Sequence, residues 1–352
     1  MWSSPAFDAH ESVTMVHDRA SNLAAIIAIH STHLGPAAGG TRFWNYAAPE
    51  DALRDALRLS QGMSYKNAMA GLPIGGGKAV ILADEDGTKT PAMLAAFGKA
   101  IEGLGGRYVT AEDVGMTEED MVAIARETRH VTGLPVEDSG AAGGDPGPFT
   151  ARGIYLGLAR AVKYRLGRDS LDGVHVAVQG TGSVGGGLAR LLAQDGAELT
   201  LADIDADRAR ALADELGATA VSSDAIMATQ CDVFSPNALG AVLDDEGIAR
   251  LNCEIVAGGA NNQLARPRHG EVLADRGILY TPDYVLNAGG IISVAIEYLA
   301  REEGRAADIA EVNAKIDRIP DRLEKIWDAS EDSGRSPDKV ADAMARERIG
   351  RG

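Results

Sequence analysis

The chain has little cysteine, and this scarcity excludes two kinds of site. Only Cys231 and Cys253 occur among the 352 residues, too few for a disulfide framework or a thiolate metal cluster. The seven histidines are scattered and form no HExxH pattern, and CxxC is likewise missing. These absences argue against a structural metal, and we expect no metal site.

Apolar runs long enough for a membrane and blocks of positive charge are absent as well. No run reaches the roughly 18 apolar residues that span a bilayer, and residues 1–5 do not begin a signal peptide. The formal charge of −17, from 34 basic and 51 acidic residues, repels nucleic acid and anionic membranes. We expect a cytoplasmic protein whose acidic surface mainly keeps it in solution.

Length and composition predict two folded domains. A chain of 352 residues is too long for one ordinary core. A content of 45% hydrophobic and 24% charged residues is typical of a globular protein. The glycine-rich stretch 139–148 has no periodicity and is the best candidate for an interdomain crossing. We place the first domain at 1–140, with a C-terminal helix at about 325–352, and the second at 141–324.

The first half contains strands and helices in irregular order. The apolar run 23–29 has the length of a buried strand, and strands are also expected at 79–82 and 107–110. A helix is expected at 47–63, where apolar residues recur at helical spacing. Another is expected at 91–104, which ends at a pair of glycines.

The second half alternates strands with helices. Strands are predicted at 174–179, 198–203, 233–235, 255–258 and 278–280, and helices at 150–164, 185–194 and 207–216. This rhythm indicates an α/β domain with a parallel, doubly wound sheet of the Rossmann type. The tail from 307 to 349 is charged and helical.

A glycine-rich fingerprint follows the first of these strands and opens a helix. It consists of Gly180, Thr181, Gly182, Ser183, Val184 and Gly185, the pattern GxGxxG. Gly180 permits a tight turn, Gly182 lets the backbone approach a phosphate, and Gly185 lets helix and strand pack closely. The helix N-terminus offers N–H groups and partial positive charge to a pyrophosphate. In this context the pattern predicts dinucleotide binding.

Asp203, at the end of the next strand, distinguishes between the two nicotinamide cofactors. Its carboxylate is placed to accept hydrogen bonds from the adenine ribose, and it would repel a 2′-phosphate. We therefore expect NAD rather than NADP, although Arg208 lies near enough to temper that preference.

Lysines occupy both ends of the segment 66–78, and three glycines at 75–77 precede the second lysine. Such glycines predict a loop in which no side chain keeps a ligand off the backbone. One ammonium would hold an anion while the other does chemistry; the alternative is a surface loop with two solvated lysines. A Walker phosphate loop is disfavoured, because Leu72 and Ala79 stand where that pattern needs glycine and Ser or Thr.

A substrate with a carboxylate gives both lysines a task. One lysine would clamp the carboxylate as a charge-assisted donor. The other, near a like charge and partly desolvated, would lose its proton more easily and act as a general base. Asp113 follows a predicted strand in the same domain, where it could exchange protons with a substrate nitrogen. A helix cap is the alternative for Asp113.

Several short motifs are spread over nearly the whole chain. They are 34–42 (LGPAAGGTR), 63–67 (MSYKN), 75–78 (GGGK), 110–115 (TAEDVG), the fingerprint at 180–185, 259–263 (GANNQ) and 282–290 (PDYVLNAGG). In this order they resemble the glutamate/leucine/phenylalanine/valine dehydrogenase superfamily, and its branched-chain and aromatic branch in particular.

The resemblance implies a reversible NAD-dependent oxidative deamination of an L-amino acid to a 2-oxo acid and ammonia. It implies an N-terminal α/β domain for substrate binding and oligomerisation, a Rossmann-type dinucleotide-binding domain, and an active site in the cleft. A homo-oligomer is also implied, since the family usually assembles through its first domain. The alternative is a catalytically idle dinucleotide-binding sensor, which would not require both lysines.

The matching motif positions imply a role for each residue. Lys66 would bind the substrate carboxylate, Lys78 would activate water against the imino intermediate, and Asp113 would move protons at the amino group. Further contacts would come from backbone N–H groups of Gly39 and Gly40, from Asn261 at the carboxylate, and from Asn287 and Thr150 at the substrate or the nicotinamide carboxamide. Turn positions are the alternative for the two asparagines.

The positions that match the family's side-chain pocket are all apolar, namely Ala38, Ala111, Ile291 and Val294. A charged side chain would be left unpaired there. This favours leucine or another branched-chain amino acid, with phenylalanine next, over glutamate. Ala38 leaves room for an aromatic ring and Ile291 removes some of it. The chain departs from the family pattern at Asn237, where cysteine is common.

Overall fold

The computed structural model describes residues 2–84, 86–135 and 145–352. It contains two compact units, the first made of Met1–Asp145, Ser293–Val312 and Ala345–Gly352, the second of Pro146–Ile292 and Asn313–Met344. Most of the crossing predicted at 139–148 lies outside the described residues. Within the described part of the chain, no helix has both the length and the apolar character needed to cross a membrane.

The first unit is built on a mixed sheet. Its strands are β1 (Ser12–Asp18), β2 (Leu23–Ser31), β3 (Ala37–Ala38), β4 (Thr41–Trp44), β5 (Gly75–Leu82) and β6 (Tyr108–Val109), and its helices include α1 (Pro49–Ala70), α2 (Pro91–Glu102) and α3 (Glu118–Ala125). The order is β1-β2-β5-β3-β6, with β4 beside β5. β2 lies antiparallel to β1 and β5, whereas β3 and β4 run parallel to β5. Phe97 of α2 and Tyr108 of β6 are fully buried in its core.

Helix α1 is longer than predicted and carries Lys66 in one of its last turns. Pro49 begins it, and acidic residues in the first turn meet the positive end of the helix dipole. Gly71 ends it in the left-handed conformation, with φ of 69°. The prediction of 47–63 ended too early, because the apolar spacing weakens there while the helix remains largely buried to its end.

The three glycines before Lys78 are part of a strand, so the predicted glycine loop was wrong. β5 begins at the first of them, and the run is buried. A Cβ on Gly76 would lie 2.0 Å from the Ser64 backbone nitrogen of α1, and one on Gly77 would lie 2.7 Å from the Tyr108 ring. The glycines therefore let α1 and the neighbouring strand approach β5 closely.

The second unit is a doubly wound parallel sheet, as predicted. Its strands are β7 (His175–Gln179), β8 (Glu198–Ala202), β9 (Thr219–Ala220), β10 (Val233–Pro236), β11 (Ile255–Val256) and β12 (Leu279–Tyr280). Helix α4 (Gly147–Leu166) precedes β7, and α9 (Asp283–Leu286) follows β12. The helices between the strands are α5 (Ser183–Gln194), α6 (Ala206–Leu216), α7 (Asp245–Arg250) and α8 (His269–Asp275). The order β12-β11-β10-β7-β8-β9 changes direction between β7 and β10, where ligands bind such sheets.

The C-terminal helices depart from the predicted division of the chain. They are α10 (Gly289–Glu302), α11 (Ile309–Ile316), α12 (Ile319–Ser333) and α13 (Pro337–Arg348). We expected 325–352 to join the first domain, but 325–344 belong to the second unit. Trp327 of α12 is buried there and donates its indole N–H to the Tyr280 carbonyl at 3.2 Å. Of the C-terminal residues expected in the first domain, Ala345–Gly352 belong to the first unit, which also contains Ser293–Val312.

Candidate active site

The buried Lys78 forms an ion pair with the half-buried Asp113 in the first unit. Side chains alternate along a strand, and a Cβ on Gly76 would face α1, so Lys78 leaves β5 on the side that α1 covers. Asp113 follows β6, and its Oδ2 lies 2.7 Å from Lys78 Nζ. Lys78 is only 6% exposed. The two groups to which we assigned proton transfer are therefore adjacent.

Burial and charge together set the protonation of this pair. Burial lowers the pKa of Lys78, and the Asp113 carboxylate opposes that effect without reversing it. Burial raises the pKa of Asp113, but the Lys78 and Arg42 cations outweigh it and hold that pKa below its usual value. An ionised carboxylate beside a lysine that releases its proton readily suits acid–base chemistry.

Arg42 and Asp55 extend the pair into a network that our sequence reasoning missed. Arg42 of β4 donates from Nε to Asp113 Oδ2 at 3.1 Å and from its guanidinium NH1 to Asp55 Oδ2 at 2.7 Å. Asp55 lies on α1 and also accepts a hydrogen bond from the Tyr46 hydroxyl at 2.8 Å. A signal was present, because Arg42 ends the motif 34–42 and an arginine in a short, half-buried strand needs an acidic partner.

Lys66 lies on the turn of α1 that packs over the glycines of β5. Its neighbour Asn67 is buried and donates from Nδ2 to the Gly75 carbonyl at 2.6 Å. This bond fixes the turn that carries Lys66 on the strand that carries Lys78. The two predicted lysines thus belong to elements in direct contact.

The two glycines predicted to help bind a carboxylate, Gly39 and Gly40, follow β3 directly. The Gly39 N–H donates to the Val109 carbonyl at 3.1 Å, and the role of Gly39 at the carboxylate stays a prediction. Gly40 stays a prediction as a backbone donor. A Cβ on Gly40 would lie 2.3 Å from the Glu112 carbonyl oxygen, which requires glycine beside the loop that carries Asp113.

The predicted pocket residues fall in both units. Ala38 lies in β3, and Ala111 follows β6, the parallel strand beside β3. The Val294 carbonyl accepts a hydrogen bond from Thr132 Oγ1 at 2.9 Å within the first unit. Ile291 belongs to the second unit. Their grouping into one pocket stays a prediction.

The fingerprint at 180–185 forms a tight strand-to-helix turn. Gly180 has φ of 93°, a conformation that favours glycine. A Cβ on Gly185 would lie 1.9 Å from the Gly180 carbonyl oxygen, so α5 packs directly on the turn. Gly182 is the N-cap of α5, and a Cβ there would meet no atom of the described residues within 4 Å. Space is therefore open at the helix start where a pyrophosphate is expected.

Asp203 directly follows β8 and is held by the fingerprint. Its Oδ2 accepts hydrogen bonds from the Thr181 backbone N–H at 2.7 Å and from Thr181 Oγ1 at 3.0 Å. Its Oδ1 accepts from the Asp205 N–H at 2.9 Å, and the Arg208 guanidinium lies 3.8 Å away. Burial raises the pKa of Asp203, but these contacts outweigh it and hold the pKa below its usual value. The carboxylate is ionised and oriented beside the turn.

Asn237, Asn261 and Asn287 form a set of connected amides that we call the amide cluster. Asn237 Oδ1 accepts from the Gly259 N–H at 2.8 Å. Asn287 Nδ2 donates to the Gly259 carbonyl at 3.0 Å and to Asn261 Oδ1 at 2.8 Å. A carbonyl can only accept, which assigns the orientation of the Asn287 amide. Asn287 Oδ1 is then buried and has no hydrogen-bond partner among the described residues.

Thr150 lies in the first turn of α4, where its Oγ1 donates to the Pro146 carbonyl at 3.0 Å. A Cβ on Gly290 would come within 2.7 Å of that hydroxyl oxygen, so Thr150 lies against the chain just after Asn287. In the ranges that the structure describes, no group of three or more His, Cys, Asp or Glu side chains is arranged to hold a metal ion.

The second unit is a Rossmann-type sheet with a GxGxxG turn, and the first is an α/β unit in which Lys78 pairs with Asp113. Together these features are typical of a dehydrogenase with two domains. A family model described as the dimerisation domain of Glu/Leu/Phe/Val dehydrogenase matches residues 6–130. A second, described as Glutamate/Leucine/Phenylalanine/Valine dehydrogenase, matches residues 200–351. The chain belongs to this family and is an amino-acid dehydrogenase of the leucine/valine branch, which acts on the CH–NH₂ group of its donor.

Named relatives are similar over nearly the whole chain. A leucine dehydrogenase of Thermoactinomyces intermedius is 48% identical over 97% of this chain and 91% of its own length. A valine dehydrogenase of Streptomyces virginiae is 46% identical over 97% of this chain and 94% of its own. The crystal structure of L-tryptophan dehydrogenase from Nostoc punctiforme matches with a TM-score of 0.84 and 40% identity, covering 97% of this chain and 96% of that one.

Proposed function

We propose that the protein catalyses the reversible NAD-dependent oxidative deamination of an apolar L-amino acid. The amino acid, water and NAD⁺ give the 2-oxo acid, ammonium, NADH and a proton. Leucine and other branched-chain amino acids are the first candidates as substrates, and phenylalanine is the next. The proposal rests chiefly on the ion pair of the buried Lys78 with Asp113, in which Nζ and Oδ2 lie 2.7 Å apart.

The first unit supplies the acid–base groups for this reaction. Neutral Lys78 takes a proton from water as the water attacks the imino carbon of the substrate. Because burial lowers the pKa of Lys78, the neutral form is reached at lower pH than for an ordinary lysine, and the rate should rise as pH passes through that pKa. Asp113 exchanges protons with the substrate nitrogen. Lys66 binds the substrate carboxylate, with Asn261 as a further donor.

Features of the second unit support NAD as the cofactor. Open space at Gly182 suits a pyrophosphate at the helix N-terminus, and Asp203 suits the ribose hydroxyls. Asn287 Oδ1 lacks a partner among the described residues and would accept from the carboxamide N–H of the nicotinamide, with Thr150 as a neighbouring contact. NAD, when bound, would supply the acceptor for the hydride of the α-carbon, and these residues would hold it in place.

The choice of substrate rests on the apolar positions and on the relatives. Ala38, Ala111, Ile291 and Val294 carry no charge that could pair with an acidic side chain. The similar leucine and valine dehydrogenases support a branched-chain substrate, and the tryptophan dehydrogenase makes an indole side chain worth testing. We also propose a homo-oligomer, because the first family model is described as a dimerisation domain.

The proposal is tested by following reduction of NAD⁺ and of NADP⁺ with every common L-amino acid, and by the reverse reaction with ammonia and 2-oxo acids. We expect NADH formation with leucine, valine and isoleucine, a lower rate with phenylalanine, and rates that rise with pH. Faster reduction of NADP⁺ would refute the cofactor assignment. Turnover confined to glutamate, or none over the whole panel, would refute the proposed reaction.

A further inference from the structure

A second cation reaches the Asp113 carboxylate from a strand that the proposed mechanism does not use. Arg42 Nε donates to Asp113 Oδ2 at 3.1 Å, and this is the oxygen that lies 2.7 Å from Lys78 Nζ. β4 runs beside β5, with Arg42 opposite Val80. One carboxylate oxygen is therefore held by two cations on neighbouring strands.

The other end of the Arg42 guanidinium is anchored to helix α1. It donates to Asp55 Oδ2 at 2.7 Å, and the same oxygen accepts from the Tyr46 hydroxyl at 2.8 Å. Asp55 Oδ1 accepts from the Arg58 guanidinium at 3.2 Å. Since α1 also carries Lys66, Arg42 joins the loop of Asp113 to the helix of the proposed carboxylate clamp.

The two cations at Asp113 behave differently when a proton is lost. Lys78 must give up its proton to act as a base, and the carboxylate then loses one positive neighbour. A guanidinium stays charged at every pH at which a protein functions. With Arg42 present, Asp113 always retains a cationic partner. Without it, attraction to Asp113 would hold the proton on Lys78.

We propose that Arg42 is a positioning residue for the reaction: it keeps the Asp113 carboxylate in place and ionised in both protonation states of Lys78. The inference rests on the proposed function, because it assigns Arg42 a task in the proton transfers at Lys78 and Asp113.

The charges around Lys78 give the sign of the expected change. The charged groups that act on it are Asp113 after β6, Arg42 on β4 and Asp55 on α1. Burial lowers the pKa of Lys78, Asp113 and Asp55 raise it, and Arg42 lowers it again. Removing the Arg42 charge therefore raises the pKa of Lys78. The rise of kcat/KM with pH, which we call the acid limb of the pH profile, then moves to higher pH.

The test compares Arg42→Gln, Arg42→Lys and a control, Arg54→Gln, with the wild type. Arg54 is an exposed arginine of α1 that pairs with Asp51 outside the network. For Arg42→Gln we expect kcat to fall and the acid limb to move up by about one pH unit. For Arg42→Lys we expect the limb to stay within about half a pH unit while kcat falls about ten-fold, because one ammonium does not reproduce the guanidinium fork. The control should behave as the wild type.

Thermal unfolding and NAD binding, measured on each variant, separate positioning from folding. A wild-type limb in folded Arg42→Gln would overturn the inference, as would activity lost only in proportion to folded protein. If Arg42→Gln does not fold, Arg42→Lys provides the test. A lowered kcat with the acid limb at its wild-type pH supports the inference, and a wild-type kcat overturns it. A wild type that reduces neither cofactor with any amino acid removes the proposed function itself, and this inference with it.

Discussion

The two units hold their candidate site residues by different forces. In the first unit, ionised side chains converge: Lys78 and Arg42 both contact Asp113 Oδ2, and Arg42 also pairs with Asp55. In the second unit, the amide cluster and the fingerprint use mainly neutral dipoles, backbone groups and close packing at glycine, and the ionised Asp203 is held by the N–H and hydroxyl of Thr181. The pKa of a charged group in such a network depends on the protonation of its neighbours. The contacts of the amides and glycines depend on packing and hydrogen-bond geometry.

This difference predicts how each unit responds to substitution. Changes among the charges of the first unit should alter rates and pH profiles, since they shift the pKa of Lys78 or Asp113. Changes in the second unit should alter cofactor affinity or stability with little dependence on pH. Four experiments, on both units, test whether this difference holds.

Lys78→Ala carries the largest expected effect. Removing the general base should lower kcat about 10²- to 10⁴-fold, while NAD affinity, measured by calorimetry, stays at its wild-type value. Lys66→Ala should instead raise KM for the amino acid more than it lowers kcat, because a carboxylate clamp acts in binding. Lys99→Ala is the matched control, since Lys99 is a largely exposed lysine of α2. Undiminished turnover without Lys78 would refute its role as the base.

Gly185→Ala tests whether close packing dominates in the second unit. Its Cβ would lie 1.9 Å from the Gly180 carbonyl oxygen, so the turn must move, at a cost of about 3 kcal/mol or more in the free energy of unfolding. Gly182→Ala is the matched comparison, because a Cβ there meets no described atom within 4 Å. It should unfold like the wild type in urea while binding NAD more weakly. Equal stability of both variants would contradict the packing argument.

His30 makes the stability of the first unit depend on pH. It is 0% exposed, and its Nε2 lies 2.7 Å from the Arg351 guanidinium. An arginine can only donate, so Nε2 accepts and Nδ1 donates to Ser64 Oγ at 2.8 Å; the 3.3 Å approach of Nε2 to Asp8 Oδ2 is then not a hydrogen bond. Burial and the Arg351 charge lower the pKa of His30 from 6.5 to about 4.

Between those two pKa values the unfolded chain binds a proton on His30 that the folded chain does not. This contribution to stability is fully present above pH 6.5 and is lost as pH falls towards about 4, by up to about 3 kcal/mol. Urea unfolding from pH 8 to pH 5 measures it. His30→Gln should flatten this slope, and His17→Gln, on an exposed position of β1, should leave it unchanged. A slope that persists in His30→Gln would contradict the assignment.

Asn287→Ala should have the smallest effect of the four. It removes the buried acceptor Oδ1 and the hydrogen bond to the Gly259 carbonyl. The free energy of NAD binding, or of the transition state that sets kcat, should therefore become less favourable by about 1–3 kcal/mol. No titrating group is lost, so the fold-change should be the same from pH 7 to pH 10. Asn252→Ala, on an exposed residue of the second unit, is the control. A change that varies with pH would break the division between the two units.

Local patterns predicted the second unit well, because its parallel strands are short apolar runs separated by amphipathic helices. The strand at 174–179, the turn at Gly180 and the acidic residue at 203 all follow from neighbours in sequence. The strands of the first unit were harder to predict from the sequence. Its strands β3 and β6 have only two residues each, and the glycines of β5 are typical of a loop in sequence although they form a strand.

The family, the order of elements in the second unit, and the residue types available for acid–base chemistry could be predicted from the sequence, because motifs and periodicity are properties of neighbouring residues. Which charges lie next to one another depends on how the chain folds. Arg42, Asp55, Lys78 and Asp113 come from β4, α1, β5 and the loop after β6, and no spacing along the chain links them. The packing of these elements brings the four charges within hydrogen-bond distance, where burial and the neighbouring charges shift the pKa values of Lys78 and Asp113.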